Sequence, residues 1–185
     1  MSNVDRGTSS DVGATAAEDR ATAFRRLSHG HLDASYRLAR AIMGNPAAAE
    51  DAVHDAFVSA WRQWHTLRDP SRFEAWFHRI LVNTCRNQLK RSSRMRITDI
   101  SSAPHPAIDD PHIVVSPERE AISQAMQELS EDHRVVLALR YYRDLTVDDI
   151  AELLGVRPGT VKSRLHHAQK QLRAALESQQ RMEII

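Results

Sequence analysis

The chain of 185 residues has one cysteine, Cys85, six glycines, and aromatic residues at only 5%. A lone cysteine closes no intramolecular disulfide and builds no cysteine-rich zinc site. No glycine falls between Gly44 and Gly155. That scarcity, with so few aromatics, argues against an all-β sandwich and against a glycine-rich nucleotide-binding α/β fold, and favours helices. No apolar run is long enough to span a bilayer, and residues 1–20 are polar and Ala/Ser/Thr-rich rather than signal-like, which predicts a soluble, cytoplasmic chain. A nucleophile motif, a phosphate loop and metal-ligand spacing are also missing, so an enzyme has little support, and no cofactor or metal is expected. What is present, 42% hydrophobic and 26% charged residues, suffices for one ordinary domain or two small ones.

The net charge of +1 hides a segregation. From Asn83 to Arg96 the charged residues are Arg86, Lys90, Arg91, Arg94 and Arg96, with no acid. From Val156 to Ala175 they are Arg157, Lys162, Arg164, Lys170 and Arg173, again with no acid. The acids gather elsewhere, at Glu50, Asp51 and Asp55, around Asp99–Glu120, and at Asp144–Glu152. Solvated helices usually mix their signs, so two single-sign stretches mark two places where phosphates approach. Ordinary enrichment of Lys and Arg at helix C-termini is the competing reading.

Hydrophobic residues recur at three- and four-residue steps through Phe24, Leu27, His31, Leu38 and Ile42, which predicts a helix ending near Gly44. Asn45 and Pro46 then cap and start a second helix, with Ala49, Ala52, Val53, Ala56, Phe57, Ala60 and Trp64 inside and Glu50 and Asp51 in its first turn. A third starts near Pro70 and Ser71 and carries Phe73, Trp76, Phe77, Ile80 and Leu81. Trp61, Trp64 and Trp76 read as bundle core, and Cys85 as a half-buried helix residue with no resolving partner. His29/His31 and His166/His167 lack the facing partners a metal needs and read as solvated.

Residues 94–116 lose the period and hold or border four of the seven prolines, beside acids and serines. A flexible coil of this length averages about 26 Å end to end and reaches about 80 Å at full stretch. Ser116-Pro117-Glu118 restarts the helical pattern. Ser130 caps the next helix, Thr146-Val-Asp-Asp149 resembles a capping box, and Gly155 closes the helix that follows. The expected fold is all-α: two small helical bundles joined by a flexible linker, the C-terminal one containing a helix-turn-helix. The expected divisions are a disordered tail 1–20, a first module 21–93, a linker 94–116, a second module 117–177 and a tail 178–185.

Thr146 to Leu165 has the helix-turn-helix layout, with small Ala151 at the crossing, the Gly155 turn, and a helix opening at Pro158-Gly159-Thr160. On that helix Val161, Leu165, Ala168 and Leu172 form the buried stripe, and Ser163, His166, His167 and Lys170 lie opposite, with Lys162 and Arg164 on the shoulders. Arg164 or Arg157 suits a guanine edge, and Thr160, Lys162 and Ser163 suit phosphates. An αα-hairpin with a solvated basic face fits the same pattern.

GTVKSRLHHAQKQL, at Gly159–Leu172, resembles the DNA-reading helix of extracytoplasmic-function sigma factors, the small two-domain initiation subunits of bacterial RNA polymerase. AEDAVHDAFVSAW, at Ala49–Trp61, is similar to the family's polymerase-docking helix, and FEAWFHRILVNTCRNQLKR, at Phe73–Arg91, to its promoter-melting and −10-reading helix. The resemblance implies an alternative sigma factor, not an enzyme, whose first module is region 2 and whose second is region 4. It implies that Asp51, His54 and Asp55 meet the clamp helices of the polymerase's largest subunit. Asn83, Arg86, Asn87, Lys90 and Arg91 then face the −10 element, and the His65–Arg72 loop, with Thr66, Leu67 and Arg68, captures a flipped base. Arg157, Thr160, Lys162, Ser163, Arg164 and His167 contact the −35 element. The implied partners are core polymerase, through clamp helices and flap, promoter DNA, and an anti-sigma factor. His54 departs from the family's usual Gln, and His167 and Gln169 from its common Arg. A stand-alone helix-turn-helix regulator binding operators as a dimer is the rival, although the sequence offers no heptad seam.

Overall fold

The computed structural model describes residues 9–98 and 116–183, with side-chain surroundings for residues 20–94 and 116–181. Among the described residues there are seven α-helices and no strand. The first module is a bundle of α1 (Ser9–Met43), α2 (Pro46–Gln63) and α3 (Phe73–Thr98), with 3-10 turns at Trp64–Thr66 and Pro70–Arg72. Its first break follows the expected chemistry. Gly44 sits in the left-handed region at φ 77° and ends α1, and the Asn45 side chain accepts from Ala48 N at 3.0 Å with Pro46 at the first position of α2. Four alanines, Ala49, Ala52, Ala56 and Ala60, are fully buried along α2 and let its backbone lie close to its neighbours. Phe77 fills the space between α2 and α3, stacked on Phe57 at 4.4 Å and on Phe73 at 5.6 Å between ring centroids.

The second module is built from three short helices, α4 (Pro117–Gln127), α5 (Glu131–Tyr142) and α6 (Val147–Leu154), and the long α7 (Pro158–Glu183). Its core is aliphatic, with Val135, Val136, Leu139, Ile150 and Val161 at 0–1% exposure. Ser130 caps α5 by accepting from His133 N at 3.4 Å. Thr146 and Asp149 form the capping box of α6, Thr146 Oγ1 accepting from Asp149 N at 3.2 Å and Asp149 Oδ2 from Thr146 N at 3.0 Å. Gly155, at φ 66°, closes α6 with Val156 N donating to Ala151 O at 3.0 Å.

Several expectations are corrected. Residues 9–20, expected as disordered tail, belong to α1, because an Ala-rich stretch with no proline propagates a helix. Residues 94–98, expected as linker, continue α3, since Pro104 is the first helix breaker after them. Residues 178–183, expected as tail, continue α7. Linker residues 99–115 and tail residues 1–8 lie outside the described residues. Because α2 starts at Pro46, Glu50 and Asp51 fall in its second turn rather than its first, where the helix dipole acts only weakly on them.

The two modules lie against each other. α5 packs on α1 and α3, and α6 packs on α3, so the two cores run together as one apolar cluster.

Candidate functional site

On α3 the buried residues Phe73, Phe77, Leu81, Val82 and Cys85 form the inner face. Asn83, Arg86, Asn87, Lys90 and Arg91 follow each other at steps of three, one, three and one, so they share another face of the helix. Asn83, Asn87, Lys90 and Arg91 are exposed, and Arg86 is half-buried. Cys85 is fully buried rather than half-buried, and burial pushes its thiol up to about 12, which leaves it unreactive. The loop before α3 is stiffened by its own polar groups. Asp69 Oδ1 accepts from Ser71 N at 2.9 Å and from Ser71 Oγ at 2.7 Å, and these bonds hold the Asp69 carboxyl below its usual range. Thr66 Oγ1 accepts from Trp76 Nε1 at 3.3 Å and donates to Gln63 O at 2.8 Å. Thr66 and Arg68 are exposed, and Leu67 is tucked against the core.

Asp51, His54 and Asp55 are all exposed on one face of α2. Gln88 Nε2 of α3 donates to Asp55 Oδ2 at 3.0 Å. His54 lines a groove between α1 and α2 with Leu32, Tyr36, Glu50, Val53 and Phe57. Leu32 is 47% exposed there, an apolar side chain facing water. Trp61, expected in the core, is 40% exposed, with the Arg20 guanidinium 5.4 Å above its ring and Phe24 edge-on at 5.2 Å. Trp64 and Trp76 are partly buried against the core, as their place in the pattern requires.

On α7, Val161, Leu165 and Ala168 are buried and Leu172 packs against them, as the helical wheel predicts. Arg157, Thr160, Lys162, Ser163 and His167 are exposed, and Arg164 is half-buried. His133 of α5 lies beside this helix, its Nδ1 2.8 Å from Gln171 Oε1.

Residues that the sequence does not single out join the two basic surfaces. Asp132, in the first turn of α5, meets Arg86 Nη2 with Oδ1 at 3.2 Å and Arg164 Nη2 with Oδ2 at 2.6 Å. Arg134, 7% exposed, donates from Nη1 to Ile42 O of α1 at 3.0 Å and to Gln127 Oε1 at 2.8 Å. From Nη2 it donates to Gln127 O and Leu129 O, each at 3.2 Å. Arg79 Nη2 donates to Glu152 O at 3.1 Å, and Arg143 pairs with Glu74. Gly44 carries no side chain where Gln127 packs, and a Cβ there would overlap that amide. His31 is not solvated as expected. It packs on Phe73 with ring centroids 5.3 Å apart, and burial, then the charge of Arg143, lowers its pKa. His78, 3% exposed, is held down to about 4 by burial and by His31. Among the described residues no group of three metal-ligating side chains comes together, and no helix is long and apolar enough to cross a membrane.

Two helical modules, each with a basic helix face and one with a helix-turn-helix, define a bipartite nucleic-acid-binding protein. Sigma-70 region 2 matches residues 27–95, and sigma-70 region 4 matches residues 119–172. The ECF RNA polymerase sigma factor SigL of Mycobacterium tuberculosis is 35% identical over 170 residues, covering 89% of this chain and 94% of the relative. The RNA polymerase sigma factor SigV of Bacillus subtilis is 30% identical over 152 residues, covering 79% of this chain and 86% of that protein. Sigma factor RpoE of Bartonella quintana, solved with the anti-sigma factor NepR, shares the fold at TM-score 0.64 and 22% identity, over 87% of this chain and 96% of that one. CnrH, solved with the cytosolic domain of CnrY, gives TM-score 0.61 at 25% identity, over 89% and 94% of the two chains. The chain belongs to the extracytoplasmic-function family of RNA polymerase sigma factors. It is an alternative sigma factor, a transcription initiation factor that works with RNA polymerase and promoter DNA to direct promoter-specific transcription.

Proposed function

We propose how this chain divides that task among its residues. Asp51, His54 and Asp55 dock on the clamp helices of the polymerase's largest subunit, and the second module (117–177) meets the flap. Asn83, Arg86, Asn87, Lys90 and Arg91 of the first module (21–93) read the −10 element, and Thr66, Leu67 and Arg68 receive a base flipped from the duplex. Arg157, Thr160, Lys162, Ser163, Arg164 and His167 contact the −35 element. Unstacking a base costs a few kcal/mol, which the receiving loop returns. Each surface binds modestly, and polymerase holds the two at a fixed spacing, so effective concentration makes the pair specific. The chain itself supplies no catalysis in this scheme and works in the cytoplasm, at the nucleoid when on polymerase. An anti-sigma factor would act by covering the apolar groove beside His54. Leu32, exposed in that groove, supports this role, and two relatives of this fold are seen bound to protein partners.

The observation that carries the scheme is the agreement of position with exposure. On α3 and on α7 the basic and amide side chains stand outside the buried stripe, over stretches that contain no acid. Run-off transcription with purified core polymerase tests it, and product that requires this chain is the expected result. Arg164→Ala should lose about 1–3 kcal/mol on promoters with a matched −35 element and relax selectivity there. Equal loss on every sequence would make Arg164 a phosphate contact instead.

A further inference from the structure

Among the described residues, Asp132 brings a carboxylate to the acid-free stretches of both α3 and α7. Asp132 gives one oxygen to Arg86 and the other to Arg164, at 3.2 and 2.6 Å, so the two guanidinium groups proposed for the −10 and −35 elements share a single anion. Both arginine side chains are about one-quarter exposed, whereas Asn83, Lys90, Lys162 and Ser163 beside them are open to water. Carboxylate and phosphodiester oxygens satisfy guanidinium donors in the same way. We propose that Asp132 is an internal phosphate mimic that latches the free chain in a closed, self-inhibited form, and that the latch must open before promoter DNA is bound.

The latch rests on the assignment of Arg86 and Arg164 to DNA, and the surrounding joint braces it. Arg134 anchors α5 to the last turn of α1 through Ile42 O, Arg143 pairs with Glu74, Arg79 holds the end of α6, and Gln127 fills the space over Gly44. All four place Asp132 between the two arginines. The closed form leaves part of the Arg164 guanidinium unserved, since Nη1 is buried with no hydrogen-bond partner among the described residues. A promoter phosphate taken by Arg164 once the latch opens would relieve that deficit. A closed form that holds about nine-tenths of the molecules lowers the apparent DNA affinity about tenfold.

The test uses the full chain labelled with a dye pair at Gln63→Cys and Gln180→Cys, both exposed positions, because buried Cys85 does not compete for the dyes. Asp132→Asn should lower energy transfer between the modules and tighten polymerase-free binding to a −35 duplex about tenfold. Glu74→Gln, which touches no DNA-reading residue, should shift both readouts in the same direction. Glu131→Gln, which removes a neighbouring charge from the same turn, should leave energy transfer unchanged. The latch is overturned by unchanged energy transfer in Asp132→Asn, whatever the affinity does. It is also overturned if the modules separate without tighter binding, or if Glu131→Gln tightens binding equally. Arg164→Ala in the Asp132→Asn background is the separate check on DNA reading. Undiminished binding there would remove Arg164 from the DNA interface, while the energy-transfer result still decides whether the joint opens.

Discussion

All four phenylalanines and all three tryptophans lie between Phe24 and Phe77, in the first module, and the second module has only Tyr141 and Tyr142, 65% and 53% exposed. The first module joins helices of 35, 18 and 26 residues through one continuous ring cluster around Phe73 and Phe77. In the second, α4, α5 and α6 have 11, 12 and 8 residues, and α6 alone carries a capping box and a left-handed glycine stop. Long helices bury more surface, so caps such as Gly44 and Asn45 supply a smaller share of what holds them. Short helices bury less, and depend on caps to satisfy their unpaired backbone groups. The basic face of α3 therefore rests on large side chains, whereas in the second module the short helices that brace the long α7 rely on end chemistry.

The sharpest way to break that comparison is to remove a ring. Phe77 is fully exposed to its neighbours and not at all to water, stacked between Phe57 and Phe73. Phe77→Ala should cost about 3–5 kcal/mol and unfold the first module. All three tryptophans report from that module, so their fluorescence follows its unfolding in urea while helical circular dichroism follows both. If the second module unfolds at the same urea concentration, the joint makes the two one cooperative unit.

The modules also differ in how they answer acid. His78 is buried in the first module with its pKa held at about 4, whereas His166 and His167 of the second are exposed. Well above pH 6.5 His78 is neutral whether folded or not. As the pH falls from 6.5 toward 4, the unfolded chain takes up a proton that the folded chain refuses, so stability declines across that window and the loss is complete below it. The loss amounts to about 3 kcal/mol. His31, also lowered by burial, acts in the same direction. Urea titrations between pH 7 and pH 4.5, read by tryptophan fluorescence, should show the slope, and His78→Gln should remove most of it.

Periodicity was enough to place Val161, Leu165 and Ala168 inside α7 and the basic residues outside it, because one helix against one core leaves a single buried stripe. Asn45, Thr146 and Gly155 were legible for the same reason, as their effect is local. Asp132 and Arg134 were not. Both sit in an ordinary helix start, SEDHR, and their partners, Arg86 and Ile42, are 46 and 92 positions away. Their one sequence signal is an arginine set directly before the apolar run Val135–Leu139, a place where its stem must lie against buried surface. The burial of His31 and His78 was equally hidden, since only packing between helices creates it. Trp61 shows the opposite error: read as core from its bulk, it lies at the edge of the bundle, with Phe24 and Arg20 of α1 against its ring and 40% of it open to water.

The smallest effect tests the end-chemistry half of the comparison. Thr146 caps α6 and Asp149 returns the bond, and those contacts hold the Asp149 carboxyl below its usual range. Both residues are exposed, so removing the cap leaves no cavity and isolates the backbone term. Thr146→Ala should therefore cost about 1 kcal/mol, with the loss confined to the second module. The half-buried cap of the first module is the comparison, and Asn45→Ala is expected to cost less there because α2 is anchored along its length by Ala49, Ala52, Ala56 and Ala60. Amide hydrogen exchange resolves the two sites, with faster exchange at the start of α6 than at the start of α2. Equal acceleration at both helix starts would mean that ring packing and capping are not alternative strategies, and that the helices of both modules depend on their ends alike.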